Sequence, residues 1–145
     1  MKFDEIEYTE LRYYFAYGML TDPDIMGDIP MVGSAVLEGY AFELLAYANL
    51  IPAAGARTHG VLWEADDDIM EQLDRVEGYP TFYTRKLVPV VADNGEQYTA
   101  EVYIMTKQSR RRLEGTAPSA DYVDRLINGY KHAGLPLQQL RDALE

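Results

Sequence analysis

The chain has 145 residues, of which 48% are hydrophobic and 26% charged, and its formal net charge is −11. These values predict one globular domain over residues 1–145, because the chain is long enough for one hydrophobic core and too short for two. The negative charge argues against nucleic acid as a partner. No apolar run approaches the roughly 20 residues of a bilayer-spanning helix. The acidic start of the chain is unlike a signal peptide, so we expect a cytoplasmic protein without membrane association.

Missing residue types limit the chemistry that this chain can perform. The sequence has no cysteine, which excludes a thiol nucleophile, a disulfide and a thiolate metal site. His59 and His132 lie far apart and lack the spacing of metal ligands, so we expect ordinary strand and helix positions for both. No serine has a nucleophile-elbow context, and no glycine-rich loop precedes a phosphate-binding lysine. An enzyme with this sequence would use carboxylates, tyrosines and backbone groups, without a metal or cofactor.

The first half of the chain predicts strands and one short helix. In chain order we expect a buried aromatic strand over 11–17, a short helix over 21–26, two strands within 32–51, and a strand over 59–64. Gly18 ends the first strand, and Asp22 followed by Pro23 provides a helix cap and a proline at the first helical position. Pro52 is expected to end the pair of strands within 32–51.

The second half predicts a central helix, a hairpin and two closing helices. We expect a helix from Asp66 to about Glu77, strands over 82–92 and 97–106, a polar connector holding Arg110, Arg111 and Arg112, and helices over 118–132 and 136–144. Gly78 is a natural residue to end the central helix. Pro89 cannot donate to a sheet ladder, so its strand is an edge or carries a bulge there. This order predicts an α+β fold with a closed or nearly closed sheet flanked by helices.

One carboxylate of the central helix is expected on its apolar face. At about 100° per residue, Glu77 falls between Leu73 and Met70, on the face that also holds Ile69 and Val76. The other polar residues of the helix are expected to face solvent: Glu71, Gln72, Asp74 and Arg75. Desolvation and the negative end of the helix dipole would both raise the pKa of Glu77 toward neutrality. In the alternative, the last turn frays and Glu77 reaches water; the pattern leaves both possibilities open.

Three segments, in order, resemble the γ-glutamylcyclotransferase family. The first resembles the family's opening strand and substrate-binding loop and consists of Tyr14, Phe15, Ala16, Tyr17, Gly18, Met19 and Leu20. The second, over 73–79 and followed by Tyr83, resembles the segment that holds the catalytic glutamate. The third begins Pro118-Ser119-Ala120-Asp121-Tyr122, continues to Gly129 and Gly134-Leu135-Pro136, and resembles the closing helix of the glutathione-pathway branch.

The resemblance implies a γ-glutamylcyclotransferase-like mixed β-barrel flanked by helices, acting on a small γ-glutamyl amine or γ-glutamyl amino acid. In that family the substrate's α-amine attacks its own γ-carbonyl, which gives 5-oxoproline and releases the attached amine. By this resemblance Glu77 is the general acid and base. The N–H groups of Gly18, Met19 and Leu20 would hold the substrate carboxylate or the oxyanion, and Tyr122 and Tyr83 would orient the substrate.

Met19 departs from the family pattern. The family loop usually continues after Tyr-Gly with Ser-Asn-Leu or Thr-Leu, whereas this chain has Met19-Leu20. Methionine is tolerable if backbone N–H groups hold the substrate. If a polar side chain is needed, specificity has changed or activity is lost. Two alternatives follow: a catalytically inactive ligand-binding or interaction module on the same fold, or another carboxylate-based enzyme, such as a lyase or hydrolase of a related amide.

Overall fold

The computed structural model describes residues 11–145, and the strands of this part close into a barrel. The barrel order is β1-β3-β2-β4-β5, with β1 Tyr13–Ala16, β2 Met31–Leu44, β3 Ala48–Glu64, β4 Tyr83–Ala92 and β5 Gln97–Met105. The flanking helices are α1 Pro23–Met26, α2 Asp67–Glu77, α3 Lys107–Leu113, α4 Ala120–Ala133 and α5 Gln138–Leu144, and Met19–Thr21 forms a 3-10 turn. The α+β barrel flanked by helices is confirmed.

Strand β1 closes the barrel by pairing with two strands. It runs antiparallel to β3 and parallel to β5, where Tyr14 lies opposite Glu101. A side chain at Gly60 of β3 would collide with the carbonyl oxygen of Ala16 and lie 2.6 Å from the ring of Phe15. Glycine at this position therefore allows β1 to lie close against β3, which positions the loop that follows β1.

The expectation that Pro52 closes a strand is wrong. Strand β3 runs without interruption through Pro52, which lies opposite Tyr40, and it includes the segment 59–64 that was predicted as a separate strand. Because β3 pairs with β1 only over 61–64, one edge of β3 near Pro52 has no ladder partner within residues 11–145. A proline is tolerated at such an edge. Pro89 has the predicted edge position, since β4 pairs with β2 only at Val91 and Ala92.

The polar connector predicted around Arg110 is also wrong, because residues 107–113 form helix α3. The Thr106 side chain caps this helix by accepting a hydrogen bond from the N–H of Ser109. Arginine is a good helix former, and its charge is favourable near the negative end of a helix. Arg110 also pairs with Glu43 of β2, with 2.8 Å between Nε and Oε2. No helix of residues 11–145 has both the length and the apolarity needed to cross a bilayer.

The hydrophobic core has two parts. One is built only from strand residues and those next to them, drawn from all the strands, and therefore fills the barrel; Phe15, Leu62 and Val102 belong to it. The other lies between the barrel and the helices and includes Trp63 of β3 and Tyr130 of α4, which are 1% and 0% exposed. Because side chains alternate along a strand, β1 contributes to both parts and links the barrel to the helices.

Candidate active site

A cavity of about 560 Å³ lies between the barrel and the helices. It is bounded by the loop after β1, the start of β3, the end of α2, the start of β4 and helix α4. Eight of the ten site residues expected from the sequence line it: Tyr14, Tyr17, Gly18, Met19, Leu20, Glu77, Tyr83 and Tyr122. The three segments that carry the family resemblance therefore meet at one place in the fold.

Phe15 and Ala16 do not line this cavity. Phe15 is 0% exposed and packs inside the barrel, because its side chain lies on the opposite face of β1 from Tyr14. Ala16 shares a face with Tyr14, but its methyl group is buried in the core between barrel and helices. Neither side chain is in a position to touch a ligand in the cavity.

Helix α2 places Glu77 at its last turn. The carboxylate of Asp66 caps the helix by accepting from the N–H of Ile69 at 2.9 Å. Gly78 ends it in the left-handed conformation, at φ 66°, and its N–H bonds to the carbonyl of Arg75. The last turn is thus intact, and Glu77 faces the cavity. Val76, in contrast, was expected on the apolar face and is 72% exposed, because it lies at the outer edge of the cavity.

The carboxyl group of Glu77 has unusual surroundings. It is half-buried and makes no hydrogen bond or ion pair with any residue of 11–145. Burial disfavours the charged form and raises the pKa of Glu77 from 4.5 to about 7. A carboxyl group with this pKa can both accept and donate a proton near neutral pH.

The loop after β1 offers unpaired backbone donors at the cavity wall. Within residues 11–145, the N–H groups of Gly18, Met19 and Leu20 donate to no protein acceptor. The carbonyls of Gly18 and Met19 do have partners, since they accept from the N–H groups of Thr21 and Asp22. Successive N–H groups without partners form a site for a carboxylate or an oxyanion.

Helix α4 and strand β3 hold this loop in place. The hydroxyl of Tyr130 donates to the carbonyl of Tyr17 at 2.6 Å, and Trp63 Nε1 donates to the carbonyl of Leu20 at 3.1 Å. Gly129 of α4 lies against the 3-10 turn so closely that a Cβ atom there would be 2.8 Å from Thr21 Oγ1. The loop is therefore packed on both sides.

Two tyrosine hydroxyls form hydrogen bonds with the backbone of one residue of β3, Ala48. Tyr83 donates to the carbonyl of Ala48 at 2.7 Å, and the N–H of Ala48 donates to the hydroxyl of Tyr122 at 3.2 Å. Tyr122 thus keeps its own proton for a further hydrogen bond. The Tyr14 hydroxyl has no partner within residues 11–145. Burial raises the pKa of Tyr122 to about 12 and also raises the pKa values of Tyr14 and Tyr83, so all three are neutral donors.

The sequence missed seven residues that line the cavity: Tyr47, Ala48, Arg75, Val76, Gly78, Phe82 and Tyr103. Four of them adjoin residues that were predicted or lie in the same segment, so a wider window around Glu77 and Tyr83 would have found them: Arg75, Val76, Gly78 and Phe82. Tyr47 lies in the turn between β2 and β3 and Ala48 is the first residue of β3; no motif was available for either. Tyr103 lies on β5, which was predicted only as the second strand of a hairpin.

Asp74 is half-buried, although it was expected to face solvent. Its Oδ1 accepts from the hydroxyl of Tyr103 at 2.6 Å, and both of its oxygens lie 3.0 Å from Arg85 Nη1. Arg85 in turn stacks on the ring of Tyr79, with its guanidinium carbon 4.4 Å from the ring centroid. These contacts attach the end of α2, which carries Glu77, to strands β4 and β5.

A group of possible metal ligands lies beside the loop rather than in the cavity. Ligand atoms of Asp22, Asp24 and His132 lie within 4.8 Å of one another. Asp22 caps α1 and pairs with His132 Nδ1 at 2.9 Å, and this hydrogen bond raises the pKa of His132. His132 therefore has an ion-pair partner that its sequence spacing did not indicate.

Comparison with known proteins identifies the family. The family model described as gamma-glutamyl cyclotransferase, AIG2-like matches residues 14–124. The chain belongs to this family. A proposed gamma-glutamylcyclotransferase of Methanocaldococcus jannaschii is 27% identical over 125 residues, which are 79% of this chain and 98% of that protein. The gamma-glutamylcyclotransferase of Homo sapiens is 29% identical over 92 residues, which are 63% of this chain but only 46% of the human protein.

Solved structures agree on the fold. A structure described as gamma-glutamyl cyclotransferase superimposes with a TM-score of 0.77 at 23% identity, and the match covers 94% of this chain and 89% of that chain. At this identity the likeness establishes the shared barrel and its flanking helices. The family that the three segments resembled is confirmed by the family model.

Proposed function

We propose that this protein is a γ-glutamylcyclotransferase that converts a γ-glutamyl amine or γ-glutamyl amino acid to 5-oxoproline and releases the amine. One observation carries the proposal: within residues 11–145, Glu77 is the only carboxyl side chain that lines the cavity, and burial raises its pKa to about 7. The relatives support the reaction class. Their names also leave the amine open, since a relative of Danio rerio, 28% identical over 78 residues, is a gamma-glutamylaminecyclotransferase.

The reaction needs two proton transfers, and one carboxyl group can perform both. In the first, the carboxylate of Glu77 takes a proton from the substrate's α-ammonium, and the free amine attacks the γ-carbonyl carbon. In the second, the protonated Glu77 gives that proton to the nitrogen of the scissile amide as the carbon–nitrogen bond breaks. The surplus proton that remains on the attacking nitrogen passes to the released amine, which leaves as an ammonium ion. A pKa near the working pH suits both steps. The products are 5-oxoproline and the amine, and Glu77 returns to its starting form.

The remaining groups of the cavity would orient the substrate. The attacking amine and the carbonyl belong to one molecule, so holding the chain in a folded-back geometry lowers the barrier. The free N–H groups of Gly18, Met19 and Leu20 would bind the α-carboxylate or the oxyanion that develops on the γ-carbonyl. Tyr122 retains a proton to donate, and Tyr14 has a hydroxyl without a partner in the described residues, so both would contact the substrate.

Replacement of Glu77 by glutamine tests the proposal directly. Glu77→Gln keeps the shape of the side chain but cannot exchange the proton. We expect substrate binding by calorimetry within a few-fold of the wild type and loss of 5-oxoproline formation by at least about 100-fold, which is the ordinary contribution of a general acid or base. Glu71→Gln, an exposed position of the same helix, is the matched control and should keep full activity. Near-normal turnover by Glu77→Gln would refute the mechanism.

A binding module without activity is the second candidate, and Met19 is the observation that favours it. Methionine lines the cavity where the family has a serine or threonine. Suppose that the wild type binds γ-glutamyl compounds but turns none over, and that Met19→Ser creates turnover. The hypothesis of a binding module is then correct, and the missing hydroxyl at position 19 explains why the wild type has no activity. Mass analysis of the product separates a third possibility, because hydrolysis gives glutamate whereas cyclisation gives 5-oxoproline.

A further inference from the structure

The two ends of the cavity differ in burial and in chemistry. At the inner end, Glu77 lies among Tyr14, Tyr17 and Tyr103, whose rings are 4%, 6% and 2% exposed. At the outer end, the lining residues Tyr47 and Val76 are 49% and 72% exposed. A molecule that reacts at Glu77 therefore has one part held deep in the fold and another part at the surface.

The outer end is apolar, although it is open to water. Three apolar residues lie there, and we call them the mouth cluster: Tyr47, Val76 and Phe82. The ring of Tyr47 packs edge to face on Phe82, with 5.9 Å between centroids, and on Tyr122 at 5.6 Å. Such pairs fix the orientation of an aromatic ring. An ordered, exposed apolar surface that adjoins a cavity is typical of a ligand site.

Charge at the outer end is limited to one cation. Apart from Glu77, Arg75 is the only charged side chain among the described residues that line the cavity. Its side chain is 71% exposed and lies 3.4 Å from Glu71, so it points along the surface of α2. No lining carboxylate at the mouth would pair with an ammonium group, and Arg75 would repel one.

The direction of the substrate follows from the proposed reaction, on which this inference rests. The γ-carbonyl must lie at Glu77, and the glutamyl half is held by the N–H groups of Gly18 to Leu20. The leaving amine then extends to the mouth cluster. We infer that the preferred substrates carry a large apolar or aromatic group on the leaving amine, which packs against Tyr47, Val76 and Phe82. Small and cationic leaving groups would leave this surface exposed to water.

A substrate series measures the preference. The specificity constant kcat/KM would be compared for γ-glutamyl-phenylalanine, γ-glutamyl-leucine, γ-glutamyl-glycine and γ-glutamyl-lysine, each joined through the α-amine of the leaving amino acid, so that the four compounds differ only in the side chain. We expect γ-glutamyl-phenylalanine to exceed γ-glutamyl-glycine by about 10-fold or more, as for other apolar pockets, and the lysine derivative to be the poorest. A glycine or lysine derivative that equals the phenylalanine derivative would overturn the inference while leaving the cyclisation intact.

Two variants locate the preference. Tyr47→Ala should lower the ratio of the phenylalanine to the glycine derivative at least about threefold, because the mouth cluster loses a half-exposed ring that only the larger leaving group would contact. Tyr98→Ala is the matched control: its ring also packs edge to face on a tyrosine, Tyr13, but lies outside the cavity, so the ratio should not change. The ratio is taken within one protein and so does not depend on how much of it is folded. An unchanged ratio in Tyr47→Ala would overturn the inference.

Failure of the proposed reaction would give a different result. If none of the four compounds is turned over, the cyclisation is refuted, and the preference is then tested by the dissociation constants of the same compounds. Tighter binding of the phenylalanine derivative, lost in Tyr47→Ala, would still support an apolar mouth. Equal dissociation constants would overturn it.

Discussion

The hydroxyl of Tyr130 donates a hydrogen bond to the carbonyl oxygen of Tyr17, with 2.6 Å between the two oxygens. It joins helix α4 to the end of β1, where the loop that lines the cavity begins. Tyr130 is 0% exposed, and its hydroxyl also accepts from Gln139 Nε2 of α5 at 2.8 Å. The two last helices are thereby linked to the loop through one buried oxygen atom. Loss of that oxygen would leave polar groups without partners where water does not reach.

We therefore expect Tyr130→Phe to lower the free energy of unfolding by about 1–3 kcal/mol, since a buried carbonyl and an amide lose their partner. Urea unfolding of both proteins measures this difference. The control is Tyr98→Phe, whose hydroxyl bonds with exposed Asn94 and Glu96 and should cost under about 1 kcal/mol. Equal losses in the two variants would contradict the role given to the Tyr130 hydroxyl.

Gly129 gives a second way to disturb the loop, this time from its outer side. A methyl group there would lie 2.8 Å from Thr21 Oγ1 and 3.3 Å from the Cβ of Asp22. Thr21 is 0% exposed and donates to the carbonyl of Gly18, so it cannot yield without moving the loop. Gly129→Ala should therefore cost about 1–3 kcal/mol of stability through overpacking and raise KM more than it lowers kcat.

The neighbouring position on α4 gives the control for this prediction. Asn128 is exposed, and Asn128→Ala adds no atoms near the loop, so both KM and stability should stay close to those of the wild type. Steady-state kinetics at a temperature where all three proteins are folded separates binding from stability. An unchanged KM in Gly129→Ala would show that the loop does not bind substrate or that α4 moves instead.

Elements with local end signals were predictable from the sequence. Asp66 and Gly78 mark the ends of α2 as expected, and the helix predicted over 118–132 is α4, which Ser119 caps by accepting from the N–H of Tyr122. Helix phase also placed Glu77 on the apolar face of α2, but it left open whether the last turn frays; the structure shows that turn intact. In contrast, Pro52 is a strand breaker only in the middle of a sheet, and whether an edge is free depends on strands that are distant in the sequence. Local patterns cannot supply that information.

The site was less predictable where backbone atoms do the binding. The carbonyl of Ala48 accepts a hydrogen bond from the hydroxyl of Tyr83, and the N–H of Ala48 donates one to the hydroxyl of Tyr122. Most residue types would offer the same two groups, so no side-chain pattern marks the position. Asp74 was misplaced for a related reason. Its helix position is ordinary for an exposed residue, and only its long-range partners, Arg85 and Tyr103, account for its burial.

Asp74 should matter more for stability than its neighbours on α2. Asp74→Ala removes the acceptor of the Tyr103 hydroxyl. It also leaves Arg85 with only a more distant partner, Glu101, at 3.7 Å. We therefore expect the free energy of unfolding to fall by about 1–3 kcal/mol. In Glu71→Ala the lost pair with Arg75 is about 70% exposed on both sides, which predicts less than about 1 kcal/mol. Chemical denaturation of both variants tests the comparison. A loss in Asp74→Ala no larger than in Glu71→Ala would contradict the anchoring of α2 by Asp74.

The raised pKa of Glu77 predicts how activity depends on pH. In the free enzyme, the carboxylate form is the one that can take a proton from the substrate, and its fraction rises through a pKa of about 7. The value of kcat/KM should therefore increase between pH 5 and pH 8 with an inflection near 7, because kcat/KM reports the ionisation of the free enzyme. An inflection near 4.5 would show that Glu77 titrates like an exposed carboxyl group.

The same shift predicts a change in stability that can be measured without substrate. The folded protein holds the Glu77 proton up to about pH 7, whereas the unfolded chain loses it near 4.5, so the folded state binds more protons in between. Stability must then fall as pH rises through this window. In Glu77→Gln this loss of stability is absent. Other groups that titrate in the same pH range, such as His132, contribute to both proteins alike, so their effect cancels in the difference between the variant and the wild type. We expect the variant to match the wild type near pH 4 and to be more stable by about 3 kcal/mol at pH 8. Glu71→Gln should show no such divergence, and a constant difference between Glu77→Gln and wild type across this range would contradict the burial of the Glu77 carboxyl group.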